Sequence, residues 1–142
     1  MKVVINQCFG GFGLSLMATV RMLQAEPEAL SACSLSEWTR DNGTEFRPIE
    51  GVDGIRQVGQ VGRHHEHWWS DVVERDSVIY RVGDGQKMRT SPTLIALVEK
   101  GDGSADGPNA KLGVVEIPDN INWEISEYDG NETVEESHRR WS

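Results

Sequence analysis

Three glycines crowd into the stretch Cys8-Phe9-Gly10-Gly11-Phe12-Gly13, and Ser15 stands two positions on. Placed between a strand and a helix N-terminus, Gly10, Gly11, Phe12, Gly13 and Ser15 could present backbone N–H groups to an anion, with the helix dipole adding attraction. The spacing fits neither of two common nucleotide loops. There is no G-x-x-x-x-G-K, and Leu16 stands where G-x-G-x-x-G needs its third glycine. The structural alternative is a tight crossover in which glycine supplies positive φ. Cys8, just before the turn, is a candidate nucleophile with His138 as its base. Its structural alternative is a small buried hydrophobe.

Two other groups are metal or acid–base candidates. His65 and His67, in His64-His65-Glu66-His67, would share one face of a strand, which suits a metal, but Glu66 would point away and further ligands are needed. The competing reading is an exposed polar turn before Trp68-Trp69. Glu124, Glu127, Asp129 and Glu132 gather about an Asp129-Gly130 turn, where carboxylates could bind a cation or act as acid and base, or simply form a solvated hairpin tip. Neither group carries a full ligand set, so the sequence assigns no metal and no cofactor. Arg89, Arg139 and Arg140, with His138, Tyr128 and Trp141, form the preferred polar constellation. Arginine forks grip phosphates and aromatic faces stack on bases. The alternative for Arg89 is an ion pair with a carboxylate of the acidic tail that fixes the fold.

Charge limits the partners. The chain has 142 residues and a net charge of −9, and from Leu112 onward eight carboxylates face two arginines, −6 of that total. An acidic surface repels phosphate backbones, so no nucleic-acid partner is expected, while a small phosphate-bearing ligand remains compatible. No apolar stretch approaches the roughly 18 residues of a membrane span, and the first residues hold too few apolar positions for a secretory signal. The expected compartment is the cytoplasm, without a membrane partner and with Cys8 and Cys33 as free thiols.

The elements that must position these residues are clearest at the two ends. Lys2–Asn6 reads as a central strand. A helix capped by Ser15 follows, with Leu16, Val20 and Leu23 on one face and Pro27 near its end. Residues 28–88 read as an irregular, glycine-rich middle: a second helix or loop over 28–40, then Gly51, Gly54, Gly59 and Gly62 among apolar residues at every third position (Ile55, Val58, Val61), and a short strand at Val78-Ile79-Tyr80. Ser91-Pro92 opens another helix carrying Leu94, Ile95, Leu97 and Val98, with Gly101 as its stop. Residues 101–109 form a loop, residues 112–117 a buried strand, and residues 123–126 a half-exposed strand before the Asp129-Gly130 turn. The prediction is a single α+β domain over residues 1–142, with a small mixed or antiparallel sheet and two to three helices.

Three blocks carry a resemblance. The run from Asn6 to Ser15 (NQCFGGFGLS), the Arg89-Thr90-Ser91-Pro92 helix start, and the closing Val114–Asp119, Glu127–Gly130 and His138–Trp141 segments resemble a widespread family of small uncharacterised proteins of tailed bacteriophages and prophages. That family shows N-x-C-[YF]-G-G-F-G-L-S, R-x-D-P, V-V-E-I-P-D, E-Y-D-G and H-R-x-W. The match covers about half the chain, and Ser91 stands where the family has Asp. The resemblance implies a phage accessory protein acting in the host bacterial cytoplasm and brings no activity with it. The residues then suggest a non-enzymatic binding module that sequesters a nucleotide-derived immune signal, with a homo-oligomer expected. The alternatives are a small hydrolase or transferase built on Cys8 and His138 or on the carboxylates, and an acidic inhibitor of a host protein.

Overall fold

A computed structural model describes residues 1–60 and 67–137. Among the described residues nine strands and four α-helices form one α+β unit, one helix more than expected and with an antiparallel sheet larger than expected. The strands are β1 (Lys2–Asn6), β2 (Ser31–Ser34), β3 (Glu45–Ile49), β4 (Val52–Gln60), β5 (His67–Arg75), β6 (Val78–Arg81), β7 (Leu112–Glu116), β8 (Trp123–Tyr128) and β9 (Asn131–Glu136). The helices are α1 (Leu16–Ala25), α2 (Leu35–Asn42), α3 (Gln86–Arg89) and α4 (Pro92–Glu99). Among the described residues no helix is long and apolar enough to cross a membrane.

The middle of the chain is the main correction. Residues 28–60 and 67–88 are not irregular: they hold a five-stranded antiparallel sheet, ordered β2-β6-β5-β4-β3, and helix α2. Both faces of this sheet are covered, so its strands do not alternate apolar with polar. On one side Ile55 and Val73 join the core beneath α1. On the other, Val58, Val72 and Ile79 pack under Leu35 and Trp38 of α2. The three-residue spacing of Ile55 and Val58 is therefore a strand buried on both faces. The glycines have separate tasks. Gly51 and Gly54 adopt φ of 76° and 81° at the β3–β4 end, and Gly59 leaves room for the Trp68 ring, which a Cβ there would meet at 2.6 Å.

The helix starts follow the sequence. The hydroxyls of Ser15, Ser34 and Ser91 each accept a backbone N–H of the first turn, and Pro92 opens α4. The Asp129-Gly130 turn, with φ of 49° and 86°, joins β8 to β9. That hairpin stacks Trp123 on Val3 and Ile5.

β1 is buried but not central. It pairs with β7 on one side, while its other edge meets side chains in place of a strand. The Arg89 guanidinium donates to the Val4 carbonyl at 3.2 Å, and the Glu132 carboxylate accepts the Asn6 N–H at 2.7 Å. The two side chains also grip each other, at 2.7 and 2.8 Å, and both are almost wholly buried. Between them they supply the donor and the acceptor that a neighbouring strand would have supplied.

Candidate functional site

Asn6 organises the glycine turn. Its fully buried amide donates to the carbonyls of Cys8 and Gly130, at 2.9 and 2.7 Å, and its side-chain oxygen accepts the Lys111 N–H at 2.8 Å. Three segments are thereby drawn together. Two glycines permit the approach: a Cβ on Gly10 would run into the Asn109 carbonyl, and one on Gly130 would sit 2.7 Å from the Gly10 backbone. The loop 101–109 closes over the far end, where Gly107 donates to the Gly13 carbonyl and Ser15 to the Ala105 carbonyl.

This packing settles where several candidates lie. Ser15 is the cap of α1, and its hydroxyl donates to the Ser104 carbonyl at 2.6 Å, so the helix N-terminus is closed by its own chain. Arg89 is the second correction. It lies beneath Phe12, 4.2 Å from the ring centroid, with four of its five guanidinium N–H groups taken by Glu132, Val4 and the Asp84 carbonyl, and is almost wholly buried. The tail carboxylate alternative raised for it is the arrangement found. Tyr128, 75% exposed, stands on the outer end of the β8–β9 hairpin. His138, Arg139, Arg140 and Trp141, with His64, His65 and Glu66, lie outside the described residues.

No catalytic arrangement assembles among the described residues. The Cys8 thiol donates weakly to the Asn6 side-chain oxygen and the Asn109 carbonyl, at 3.3 and 3.4 Å, and no side-chain base among the described residues bonds to it. The carboxylates of the hairpin separate: Glu132 is buried with Arg89, whereas Glu124, Glu127 and Asp129 are exposed. Among the described residues no group of three or more His, Cys, Asp or Glu is placed to hold a metal.

What the turn does form is one wall of a groove of about 280 Å³. Gly10, Gly11, Phe12 and Gly13 face His67, Trp68, Trp69 and Asp71 of β5, with Pro108 and Asn109 at one end. Phe12, Gly13 and Asp71 also border a second hollow of about 330 Å³, whose other walls include Arg81, Gly83 and Asp84. The N–H groups of Gly11, Phe12 and Gly13 take no partner among the described residues. The tryptophans are held firmly. Trp68 is sandwiched between Gly59 and the Arg47 guanidinium, which lies 4.2 Å from its ring centre, and Trp69 meets Trp38 edge-on at 5.5 Å. Trp68 also keeps a buried indole N–H without an acceptor among the described residues.

Sequence reasoning found the glycine wall and missed the opposite one. Trp68-Trp69, Asp71 and Arg81 sit in the segment read as irregular, and only the antiparallel pairing of β5 and β6 sets Asp71 beside Val82 and so near Arg81. Comparison with known proteins adds no neighbour: no family model, no curated protein and no solved structure matches the chain.

Proposed function

We propose that this protein is a non-enzymatic binding module, a phage accessory protein of the host cytoplasm, that holds a nucleotide-derived small molecule in the groove between the glycine turn and β5. The observation carrying this reading is the groove itself. A glycine wall with unpartnered backbone N–H groups faces two fixed tryptophans and a carboxylate, and an adjoining hollow that shares Phe12, Gly13 and Asp71 adds an arginine.

Each part suits one part of a nucleotide. The space between the glycine wall and Trp69 takes a base, Trp68 being already covered by Gly59 and Arg47, since aromatic side chains stack on any base at about 1–3 kcal/mol each. Asp71, at the junction, is placed to accept from ribose hydroxyls, as acidic residues do in other nucleotide sites. Arg81 supplies the phosphate contact in place of Arg89, being the one arginine or lysine lining either part among the described residues. Asp71 and Asp84 beside it disfavour a densely charged ligand, so the groove suits one or two phosphates better than a triphosphate.

The test is titration of the purified protein with mononucleotides, cyclic dinucleotides and cyclic ADP-ribose-type molecules, followed by tryptophan fluorescence and melting temperature. A ligand that quenches the fluorescence and raises the melting temperature is expected, with Arg81→Ala weakening nucleotides but not the matching nucleosides. Recovery of unchanged ligand from the denatured complex distinguishes binding from turnover. If no nucleotide shifts either signal, the reading fails.

A further inference from the structure

The β1–β7 ribbon has two outer edges, and they are treated differently. Their parity follows from the bonds at its ends. Gln7 donates to the Lys111 carbonyl and Ile117 to the Met1 carbonyl, so odd-numbered residues of β7 face β1 and even-numbered ones face out. On the β1 edge the Val4 carbonyl is served by Arg89 and the Asn6 N–H by Glu132. On the β7 edge the Leu112 N–H is taken by the Asp106 carboxylate at 3.0 Å. The outward N–H and C=O groups of Val114 and Glu116, and the Leu112 carbonyl, meet no partner among the described residues.

Helix α4 beside this edge is short of cover as well. Its sequence, PTLIALVE, is apolar nearly all round, yet only Leu94 is buried, and Ile95, Leu97 and Val98 stay half exposed. A helix apolar on every face belongs in an interior. A cleft of about 300 Å³ lies between Leu97 and Val98 of α4 and Lys111 and Leu112 at the start of β7, with Gly101, Asp102 and Asp106 closing it.

We infer that β7 pairs antiparallel with β7 of a second copy of this chain, about a two-fold axis at Val114, giving a four-stranded sheet β1-β7-β7-β1 across the dimer. The register is selected by the groups themselves. With Val114 opposite its own mate and Leu112 opposite Glu116, four hydrogen bonds form: two between the Val114 pair and two from Glu116 N–H to the Leu112 carbonyl. The Leu112 N–H keeps Asp106. Charge favours the same direction, because the strand runs from Lys111 to Glu116. Antiparallel pairing sets a basic end beside an acidic one, whereas parallel pairing sets like against like.

The helices agree with this geometry. Because α4 packs on both β1 and β7, the two-fold places the two α4 helices two strand spacings apart, about 10 Å. That is a helix–helix packing distance, and Leu97 and Val98 gain cover there.

Sedimentation across a range of concentrations is expected to show a species of twice the 15.8 kDa chain mass. Val114→Pro removes an outward N–H without touching the β1 ladder, and is expected to give a folded monomer. If that variant does not fold, amide exchange of the unaltered protein decides. Val114 and Glu116 are expected to exchange more slowly as concentration rises, and Lys2 and Leu112 to stay unchanged. A monomer at every concentration overturns the inference. So does a folded Val114→Pro dimer, or exchange at Val114 and Glu116 that ignores concentration.

Discussion

Arg89 and Glu132 stand 43 positions apart in the chain and meet out of reach of water, each bound to the other and to the open edge of β1. Removing one member leaves a buried charge without its partner. Glu132→Gln is expected to destabilise the protein by about 3 kcal/mol or more, read from urea denaturation. The double variant Arg89→Met, Glu132→Leu gives the sharper result. Replacing a buried pair by apolar groups is often neutral when the pair serves only itself. Here it would also orphan the Val4 carbonyl and the Asn6 N–H, so the double variant should remain about 2 kcal/mol or more below the parent protein. A double variant as stable as the parent would show that the pair does not substitute for a strand. The residue types of this site were legible in the sequence: an arginine, a glycine turn and an acidic tail were all singled out. What decided between ligand contact and ion pair was the register of β9, which turns Glu132 inward while its neighbour Thr133 and Glu135 face solvent. That register depends on pairing with β8, not on any feature local to Glu132.

The elements read most clearly were those with local punctuation. Ser15, Ser91-Pro92 and Asp129-Gly130 each fix a boundary by chemistry within four residues, and each stands where the sequence placed it. The five-stranded sheet lacked such marks because its strands are covered on both faces, interrupted by glycines, and shifted in register between Gln57 and Gly59 where β5 bulges. Interactions between elements were equally hidden, and Glu26 is the clearest case. At the end of α1 it accepts the Ser91 hydroxyl at 2.9 Å, the Thr93 N–H at 3.1 Å and the Thr93 hydroxyl at 2.6 Å, tying α1 to the first turn of α4. Burial pushes its carboxyl up, but the bonds from Thr93 and Ser91 together outweigh burial and hold it below the ordinary value of 4.5. A carboxylate lowered on folding contributes stability above its unfolded value, and that contribution is lost as pH falls through the lower folded value. Glu26→Gln should therefore cost about 1–2 kcal/mol at pH 7, with the difference from the parent vanishing well below pH 4.5. A constant difference across that range would mean that the carboxylate charge is not what joins the two helices.

At the scale of the whole molecule, the three apolar clusters share strands and do not occupy separate domains. β1 gives Val4 to the large core and Val3 and Ile5 to the cluster on Trp123. β4 gives Ile55 to the large core and Val58 to the cluster under α2. A strand cannot release one face and keep the other ordered, because alternate residues belong to a single backbone. Loss of any one cluster thus strips a strand from its neighbour, and unfolding is expected to be a single cooperative transition. The tryptophans allow a direct check, since Trp38 and Trp69 report on the α2 side of the sheet and Trp123 on the β8–β9 hairpin. In a urea titration, the fluorescence difference between the parent and Trp123→Phe isolates the hairpin, and the difference for Trp38→Phe isolates the α2 side. Both should have the midpoint of the backbone circular dichroism, once each is compared at its own variant's stability. A hairpin transition at clearly lower urea would mean that the Asn6 and Arg89–Glu132 contacts do not bind β9 to the rest. The glycine turn would then open before the sheet, and the groove it walls would be lost while β5 remained folded.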